Sequence, residues 1–575
     1  MDSLAKIFLS LPQVTLSGAG LLGIACHQSL LQPFEVDSYG WELFLTFWIG
    51  IGGLLSGYLH VAELGVIDAF VRSSAVGAAF LAGIYGSMLM YRAYFHRLRR
   101  FPGPYPARLS NLYHLLSMAG TKLKYHLHVQ KLHARYGDFI RTGPRELTIF
   151  RASAIELIYG SSSKCTKGAW YDQNSGDPDK VGIENLRDAA KHRLRRKAWD
   201  KGLGLRALDK YEARVTAKVN QLMAGIGTGK PVNITQHSTF YAWDVMGEIA
   251  FSKDFGMLET GLEHPAVDGL HWAMTTAGVV TTLPWLMNML RVIPGATGRF
   301  ERFAGWCSEQ LNTKRQALLR QKAEGTLGEP QDVMSWIIRA QQEGDRSAPP
   351  TESAIKEDVR TLISAGSDTV AIAFTNFLYF MAKNPRIYRK LQRLVRESCP
   401  DGGPESWTYE QLKRVSYIDQ LIHETLRLRP PVPMGFPRET PPEGLQVEEI
   451  YIPGNVIVNV PIWAIQQDER YFESATEFQP ERWGSLTPQT AAYLPFQRGQ
   501  FTCAGKALAM MQLRMLIGCV ALRFDDLAFA PGEDGVVFWT EARETLTLWI
   551  PPLNMMFYPA ETRKDEGGKG VGPFC

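Results

Sequence analysis

Pro495-Phe496-Gln497-Arg498-Gly499-Gln500-Phe501-Thr502-Cys503-Ala504-Gly505 stands between a turn-rich approach and a long apolar helical stretch, Lys506 to Leu522. That order puts Cys503 on a loop at the start of the helix. Backbone N–H groups and the positive end of the helix dipole converge there, which favours a thiolate over a thiol. Gly499 and Gly505 bracket the cysteine, and backbone without side chains lets a large flat partner come close. A lone cysteine also has a plainer reading, a buried free thiol acting as a small hydrophobe.

The chemistry that needs one thiolate, held rigidly between glycines, is axial ligation of haem iron. The pattern F-x-x-G-x-x-x-C-x-G, carried by Phe496, Gly499, Cys503 and Gly505, resembles the haem-binding loop of the cytochrome P-450 family. The resemblance implies haem b with Cys503 as its axial iron ligand. One position departs from the family: Arg or His usually stands two residues before the cysteine, and here it is Phe501. A phenyl ring cannot neutralise a haem propionate. The resemblance offers Arg196 and Arg438 for that charge, and Arg498 is the candidate specific to this chain.

The 575 residues are 45% hydrophobic and carry a net charge of +4, enough apolar content for a large core and too balanced for a nucleic-acid partner. Cysteines at 26, 165, 307, 399, 503, 519 and 575 form no C-x-x-C pair, which excludes a zinc site or a disulfide framework and fits a reducing compartment.

Three apolar stretches, Ile7–Leu31, Trp41–Leu64 and Ser74–Phe95, are each about the length that spans a bilayer. One of them can instead lie in the interface or be buried. The third runs into Arg92 and His96-Arg97-Leu98-Arg99-Arg100, whereas the first connecting loop holds Glu35, Asp37 and Glu42. Positive-inside logic puts the basic cluster and all that follows in the cytosol. Phe101-Pro102-Gly103-Pro104-Tyr105-Pro106 is a stiff connector that cannot continue a helix. The expected organisation is an anchor over 1–100 with three transmembrane helices, a hinge over 101–106, a catalytic domain over 107–560 and a flexible tail over 561–575.

In the soluble part, Tyr136–Pro144 followed by Glu146–Phe150 predicts a hairpin turning at Gly143-Pro144. Helical patterns dominate from Ala152 on, with short β pieces at Glu449–Pro453 and Val456–Pro461. His192-Arg193-Leu194-Arg195-Arg196-Lys197 is strongly basic, and His192 and Arg196 share a helix face. The resemblance makes those two propionate contacts; the other charges form a solvated face or a docking surface for an acidic electron donor.

Lys356–Met381 predicts a long helix with Ala365-Gly366-Ser367-Asp368-Thr369 in its middle. Gly366 costs about 1 kcal/mol against alanine there, so it lets something approach closely. Thr369 can bond a carbonyl one turn back or hold a water, and Asp368 can relay protons. The segment resembles the family's oxygen-activating helix, A-G-x-[DE]-T, which makes Asp368 and Thr369 the catalytic pair. Glu424 and Arg427 sit at i, i+3, an ion pair worth little if exposed. The resemblance joins them to Arg482 of Pro480-Glu481-Arg482-Trp483 as a structural triad. Pro431-Val432-Pro433-Met434-Gly435-Phe436 is expected to line a substrate pocket with Ala365 and Gly366, through Val432, Met434 and Phe436, helped by Trp170-Tyr171 and Trp272–Leu290.

Four motifs in family order identify the chain as a member of the cytochrome P-450 family, similar to membrane-bound fungal members of secondary metabolism. The implied fold is mainly α with small β-sheets, preceded by transmembrane helices. The implied activity is a haem-thiolate monooxygenase that inserts one oxygen atom from O2 into a hydrophobic organic substrate, such as a terpenoid, polyketide or indole alkaloid. About fifty residues follow the helix after Cys503, too few for a flavin or nicotinamide domain. Electrons are therefore expected from NADPH through a separate NADPH–cytochrome P-450 reductase, in the membrane of the endoplasmic reticulum. The alternative is a haem-thiolate isomerase or dehydratase that needs no external electrons, against which Asp368 and Thr369 argue.

Overall fold

In the computed structural model, residues 12–560 are described except 35, 37, 38, 174, 281, 291, 294, 296 and 400–406. The expected tail 561–575 and the start of the first span lie outside the described residues.

Three helices are long and apolar enough to cross a membrane: Pro12–Leu31, Gly40–His60 and Val66–Phe95. The third starts at Val66, eight residues before the sequence reading put it. Asp68 and Arg72 dilute the apolar pattern there, but Asp68 suits a helix N-terminus and nothing in the stretch breaks a helix. The first and third helices pack through glycines. A Cβ on Gly23 would run into the backbone of Phe80, and one on Gly83 into that of Gly20. Small residues that let backbones meet are how helices associate where water gives no hydrophobic drive. Away from these contacts Leu21, Leu22, Trp48, Ile49, Ile67 and Phe70 are exposed.

The proline-rich connector is docked on the soluble domain. Phe101 is buried, and the Arg141 amide donates to the Pro102 carbonyl at 2.7 Å. The Arg141 guanidinium is fully buried and donates to the carbonyls of Arg92 (3.1 Å) and Pro144 (2.8 Å). Arg97 donates in turn to the Gly454 carbonyl at 2.6 Å.

The predicted hairpin is present as Phe139–Arg141 and Glu146–Ile149. Ile457–Asn459 adds parallel to its second strand, and Arg438–Glu439 pairs antiparallel at the far edge. A small separate hairpin joins Leu445–Val447 to Ile450–Ile452. Asn554–Pro559 pairs antiparallel with Phe524–Phe529 and Val232–Asn233 in a three-stranded sheet, Arg543–Glu544 pairs with Leu548–Trp549, and most of the rest of the core is helical. The helix Glu352–Lys383 runs through it, packed on Ile234–Phe251, Ser416–Leu428 and Lys506–Arg523. It starts four residues earlier than periodicity predicts because the Thr351 hydroxyl accepts from the Ala354 amide and caps it. The fold is mainly α with small sheets, as the sequence predicts.

Candidate active site

The Cys503 loop is a tight structure built from its own backbone. The Cys503 amide donates to the Phe496 carbonyl at 2.9 Å, and Thr502 to Gly499 at 3.1 Å. Gly499 has φ +61°, and a Cβ there would lie 2.5 Å from the carbonyl oxygens of Tyr159 and Gly160. That glycine lets the loop press on the end of the helix Ser153–Tyr159. Gly505 has φ −84°, an ordinary value, and a Cβ on it would sit 4.0 Å from the Cys503 sulfur. Phe496 packs on the main core.

Cys503 is surrounded by protein, yet it is solvent-accessible, as the wall of an internal void would be. Burial pushes its thiol pKa up, and the Gly505 amide, Arg196 and the Lys506 amide pull against that without reversing it. The helix N-terminus by itself therefore does not make the thiolate expected from sequence. Desolvation outweighs the partial charges, and a cation bonded to sulfur is what would invert the balance. Among the described residues no three His, Cys, Asp or Glu side chains gather into a metal-binding group. A metal at Cys503 must bring its other ligands with it, as iron in a porphyrin does.

The helix that follows Cys503 packs on the central helix, so a second open surface lies on a neighbouring element. Ala365 is exposed and Thr369 half-exposed, while Ser364, Ser367, Asp368 and Val370 are buried. The Thr369 hydroxyl donates to the Ala365 carbonyl at 2.8 Å, and the helix runs on without interruption. Gly366 lies beside Ala365 on this helix and is half-buried. A Cβ there would collide with the Met246 side chain, so this glycine lets the helix Ile234–Phe251 come close. Asp368 turns away from the Ala365–Thr369 face. Its Oδ1 lies 3.4 Å from His271 Nε2, and its Oδ2 accepts from the Thr547 hydroxyl at 3.5 Å.

Phe501, the departure from the family loop, is the hub of a cationic cluster. Lys167 Nζ lies 4.7 Å from its ring centroid and the Arg438 guanidinium 4.9 Å, while the His192 ring meets it edge-on at 4.8 Å. Aromatic faces attract cations, most strongly away from water. Arg438 donates to the Tyr171 hydroxyl at 2.5 Å, and Lys167 to the Glu184 carbonyl at 2.6 Å. Arg196 is more committed, donating to Asp200 and to the Thr502 carbonyl, each at 2.7 Å, so it buttresses the cysteine loop. Burial, with Lys167 and Arg196 nearby, pushes His192 down to about 3, which keeps it neutral. His192 Nδ1 and Arg438 Nε are buried without a hydrogen-bond partner.

Lys167 is the residue that sequence reasoning missed; nothing in Ser163-Lys164-Cys165-Thr166-Lys167-Gly168 marks one lysine for burial. Arg498, the candidate specific to this chain, is spent elsewhere. Its guanidinium donates to the carbonyls of Pro488 (3.0 Å) and Ala491 (2.7 Å) and lies 3.7 Å from Glu156. It holds the approach to the loop rather than facing the cluster.

Glu424, Arg427 and Arg482 come together away from solvent. Arg427 donates twice to the Glu424 carboxylate, at 2.9 and 2.8 Å, and also to the carbonyls of Gln466, Ala475 and Glu477. All five of its N–H donors are thus used. Glu424 accepts further from Arg482 Nε at 3.1 Å, Trp483 Nε1 at 2.9 Å and the Gln479 amide at 2.8 Å. Val432, Met434 and Phe436 are half-buried; Phe436 meets Trp170 edge-on at 6.0 Å, and Met434 packs in a small cluster with Val279.

These residues fit haem. The buried Arg438 guanidinium donates to a hydroxyl and to backbone carbonyls rather than to a carboxylate, and two polar atoms of the cluster, His192 Nδ1 and Arg438 Nε, lack partners. A flat ligand with a metal at its centre and carboxylates at its edge answers both needs.

A family model for cytochrome P-450 matches residues 102–535. The chain is 34% identical over 546 residues to cytochrome P-450 monooxygenase FCK2 of Fusarium pseudograminearum, covering 93% of this chain and 96% of that one. It is 31% identical over 547 residues to tryprostatin B 6-hydroxylase of Aspergillus fumigatus, covering 93% and 94%. Cytochrome P-450 monooxygenase eupD of a Phoma species is 66% identical over 286 residues, all of that protein and 50% of this chain. Matches of this breadth, to proteins whose cofactor suits the open sulfur and the unpartnered polar atoms beside Phe501, mean that the chain belongs to the cytochrome P-450 family, as a haem-thiolate monooxygenase served by a separate reductase.

Proposed function

We propose that Cys503 is the axial ligand of haem b and that the enzyme oxidises a hydrophobic secondary metabolite. The observation that carries this reading is the Cys503 sulfur, enclosed by protein and still accessible, on a loop that its own backbone holds rigid. Haem supplies the activation of O2, and an anionic sulfur ligand favours O–O cleavage. The residues of this chain supply binding, orientation and protons. Arg438 and Lys167, steadied on the Phe501 ring, would hold the haem carboxylates, and His192 would offer its unpartnered Nδ1. Arg196 ties the helix Ala189–Leu203 to the cysteine loop. The Thr369 hydroxyl, one turn beyond Ala365, positions a proton donor on the open face, and Asp368 feeds it. Ala365, Val432, Met434 and Phe436 line the substrate space and exclude water.

The substrate class rests on these apolar walls and on relatives named as tryprostatin B 6-hydroxylases, which also favour hydroxylation as the reaction. A terpenoid, polyketide or indole alkaloid intermediate fits such walls. NADPH–cytochrome P-450 reductase is the electron donor in this reading. Arg193 and Lys197, exposed one turn apart on the helix Ala189–Leu203, offer it a basic docking face. The anchor over 1–100 holds the enzyme on the endoplasmic reticulum, with the hinge at 101–106 and the catalytic domain over 107–560 in the cytosol. Cys503→Ala tests the centre of the proposal. The reduced wild type with carbon monoxide gives the red-shifted Soret band of a thiolate ligand, and the variant loses it. A band retained in the variant would remove Cys503 from the iron.

A further inference from the structure

Asp368 is almost closed to solvent, with 6% of its surface exposed, yet it lies on the wall of a cavity of about 240 Å³. Asp368, Ala371, Ile372 and Thr375 form one wall, at the i, i+3, i+4, i+7 spacing of a single helix face. At roughly 100° per residue this face stands about a quarter-turn from Ala365 and Thr369. The Asp368 carboxylate therefore belongs to this cavity, while the next residue, Thr369, turns toward the open site face.

His271 and Glu263 line the same cavity. His271 lies on the helix Pro265–Val280 with 37% of its side chain exposed, and its Nε2 reaches Asp368 Oδ1 at 3.4 Å. The pair is held in register from behind. A Cβ on Gly278 would strike the Thr545 backbone, and the Leu546 amide donates to the Met274 carbonyl at 3.1 Å. The charged groups that face His271 are Asp368 from the central helix and Glu263 and Asp268 from its own segment. Burial lowers its pKa, but Asp368, Glu263 and Asp268 outweigh this and the net direction is up, toward the imidazolium.

We propose that His271 is the proton relay between this cavity and Asp368. The proposal rests on the monooxygenase reading, in which one oxygen atom of O2 leaves as water and consumes protons. The Nε2–H bond of the imidazolium breaks and an O–H bond forms on Asp368, leaving a neutral ring and a neutral carboxyl. A hydronium ion reaching the ring through the cavity restores the imidazolium and leaves water behind, and the Asp368 carboxyl gives up its proton toward the Thr369 side and returns to the carboxylate. Nε2 of His271 and the Thr547 hydroxyl lie within reach of the Asp368 carboxylate, at 3.4 and 3.5 Å, and of the two only the imidazolium carries a readily released proton.

The test uses the full-length chain, reconstituted with NADPH–cytochrome P-450 reductase in phosphatidylcholine vesicles. NADPH oxidation and peroxide release are followed in H2O and D2O across pH, for wild type, His271→Gln and His271→Phe. Glutamine keeps a hydrogen bond to Asp368 and carries no mobile proton. The expected result is an NADPH oxidation rate lower by roughly tenfold, a larger share of electrons lost as peroxide and a larger solvent isotope effect. Wild-type rate falls as pH rises through the His271 pKa, above the ordinary 6.5, and the variants lack that limb. Wild-type coupling and pH profile in His271→Gln would overturn the relay and leave the monooxygenase reading intact. Loss of the carbon monoxide band in both variants would also overturn it, by making His271 a folding residue. Absence of that band in the wild type would instead break the haem reading itself.

Discussion

Two clusters of buried basic side chains sit in this domain and differ in kind. Around Glu424, every donor of Arg427 has an acceptor, and Glu424 accepts from Arg427, Arg482, Trp483 and Gln479. Around Phe501, Lys167 and Arg438 lie over an aromatic ring, Arg438 Nε and His192 Nδ1 have no partner, and burial drives Lys167 well below its usual pKa. The first network is closed and has no capacity left for a ligand. The second is open, and its cost is met only when an anion arrives. A complete set of hydrogen bonds marks structure, and an incomplete one at a cavity marks a binding site.

Breaking the closed network has the largest expected effect. Glu424→Ala leaves two buried guanidinium groups without their carboxylate, a loss of about 3–5 kcal/mol. Thermal unfolding should drop steeply with or without haem. A variant that unfolds like wild type would show that the network is dispensable and would erase the contrast.

Arg438→Ala acts on the open network. A charge-assisted hydrogen bond contributes about 1.5–3 kcal/mol, so haem should leave roughly tenfold faster or more when captured by an excess of apomyoglobin. The apoprotein should unfold near the wild-type temperature. Equal losses in apo and haem-loaded protein would make Arg438 another closed-network residue.

Lys167→Met gives the smallest and most discriminating change. Below the ordinary lysine pKa, a buried ammonium whose pKa is depressed destabilises the fold, because the folded chain holds the charge less readily than the unfolded one. Methionine removes that cost, so the apoprotein should gain stability at neutral pH while haem retention falls by a few fold. Opposite signs in the two measurements are the signature of an open site. A variant weakened in both would place Lys167 with Glu424.

Much of this was legible along the chain. The loop around Cys503 is contiguous, and the Ala365–Thr369 segment lies within one helix, so their spacing carries their geometry. The identity of the cation opposite Phe501 was not legible. Lys167 and Arg498 are both lysine or arginine near glycine, and only the fold turns the first inward and spends the second on loop carbonyls. The sequence also gives no sign that Gly366 serves Met246, because that contact joins residues 120 positions apart along the chain.

By itself the sequence determined the helical class, the three apolar spans, the cysteine loop and the order of its motifs. These are local properties, set by periodicity, by proline and glycine, and by residues a few positions apart. The tertiary structure decided which ionisable groups are buried, which polar atoms go unpaired and which way Asp368 points. Those depend on what packs against each side chain from distant segments. Burial sets the balance of charge at Cys503, His192 and Lys167, and it exists only once the chain has closed around them.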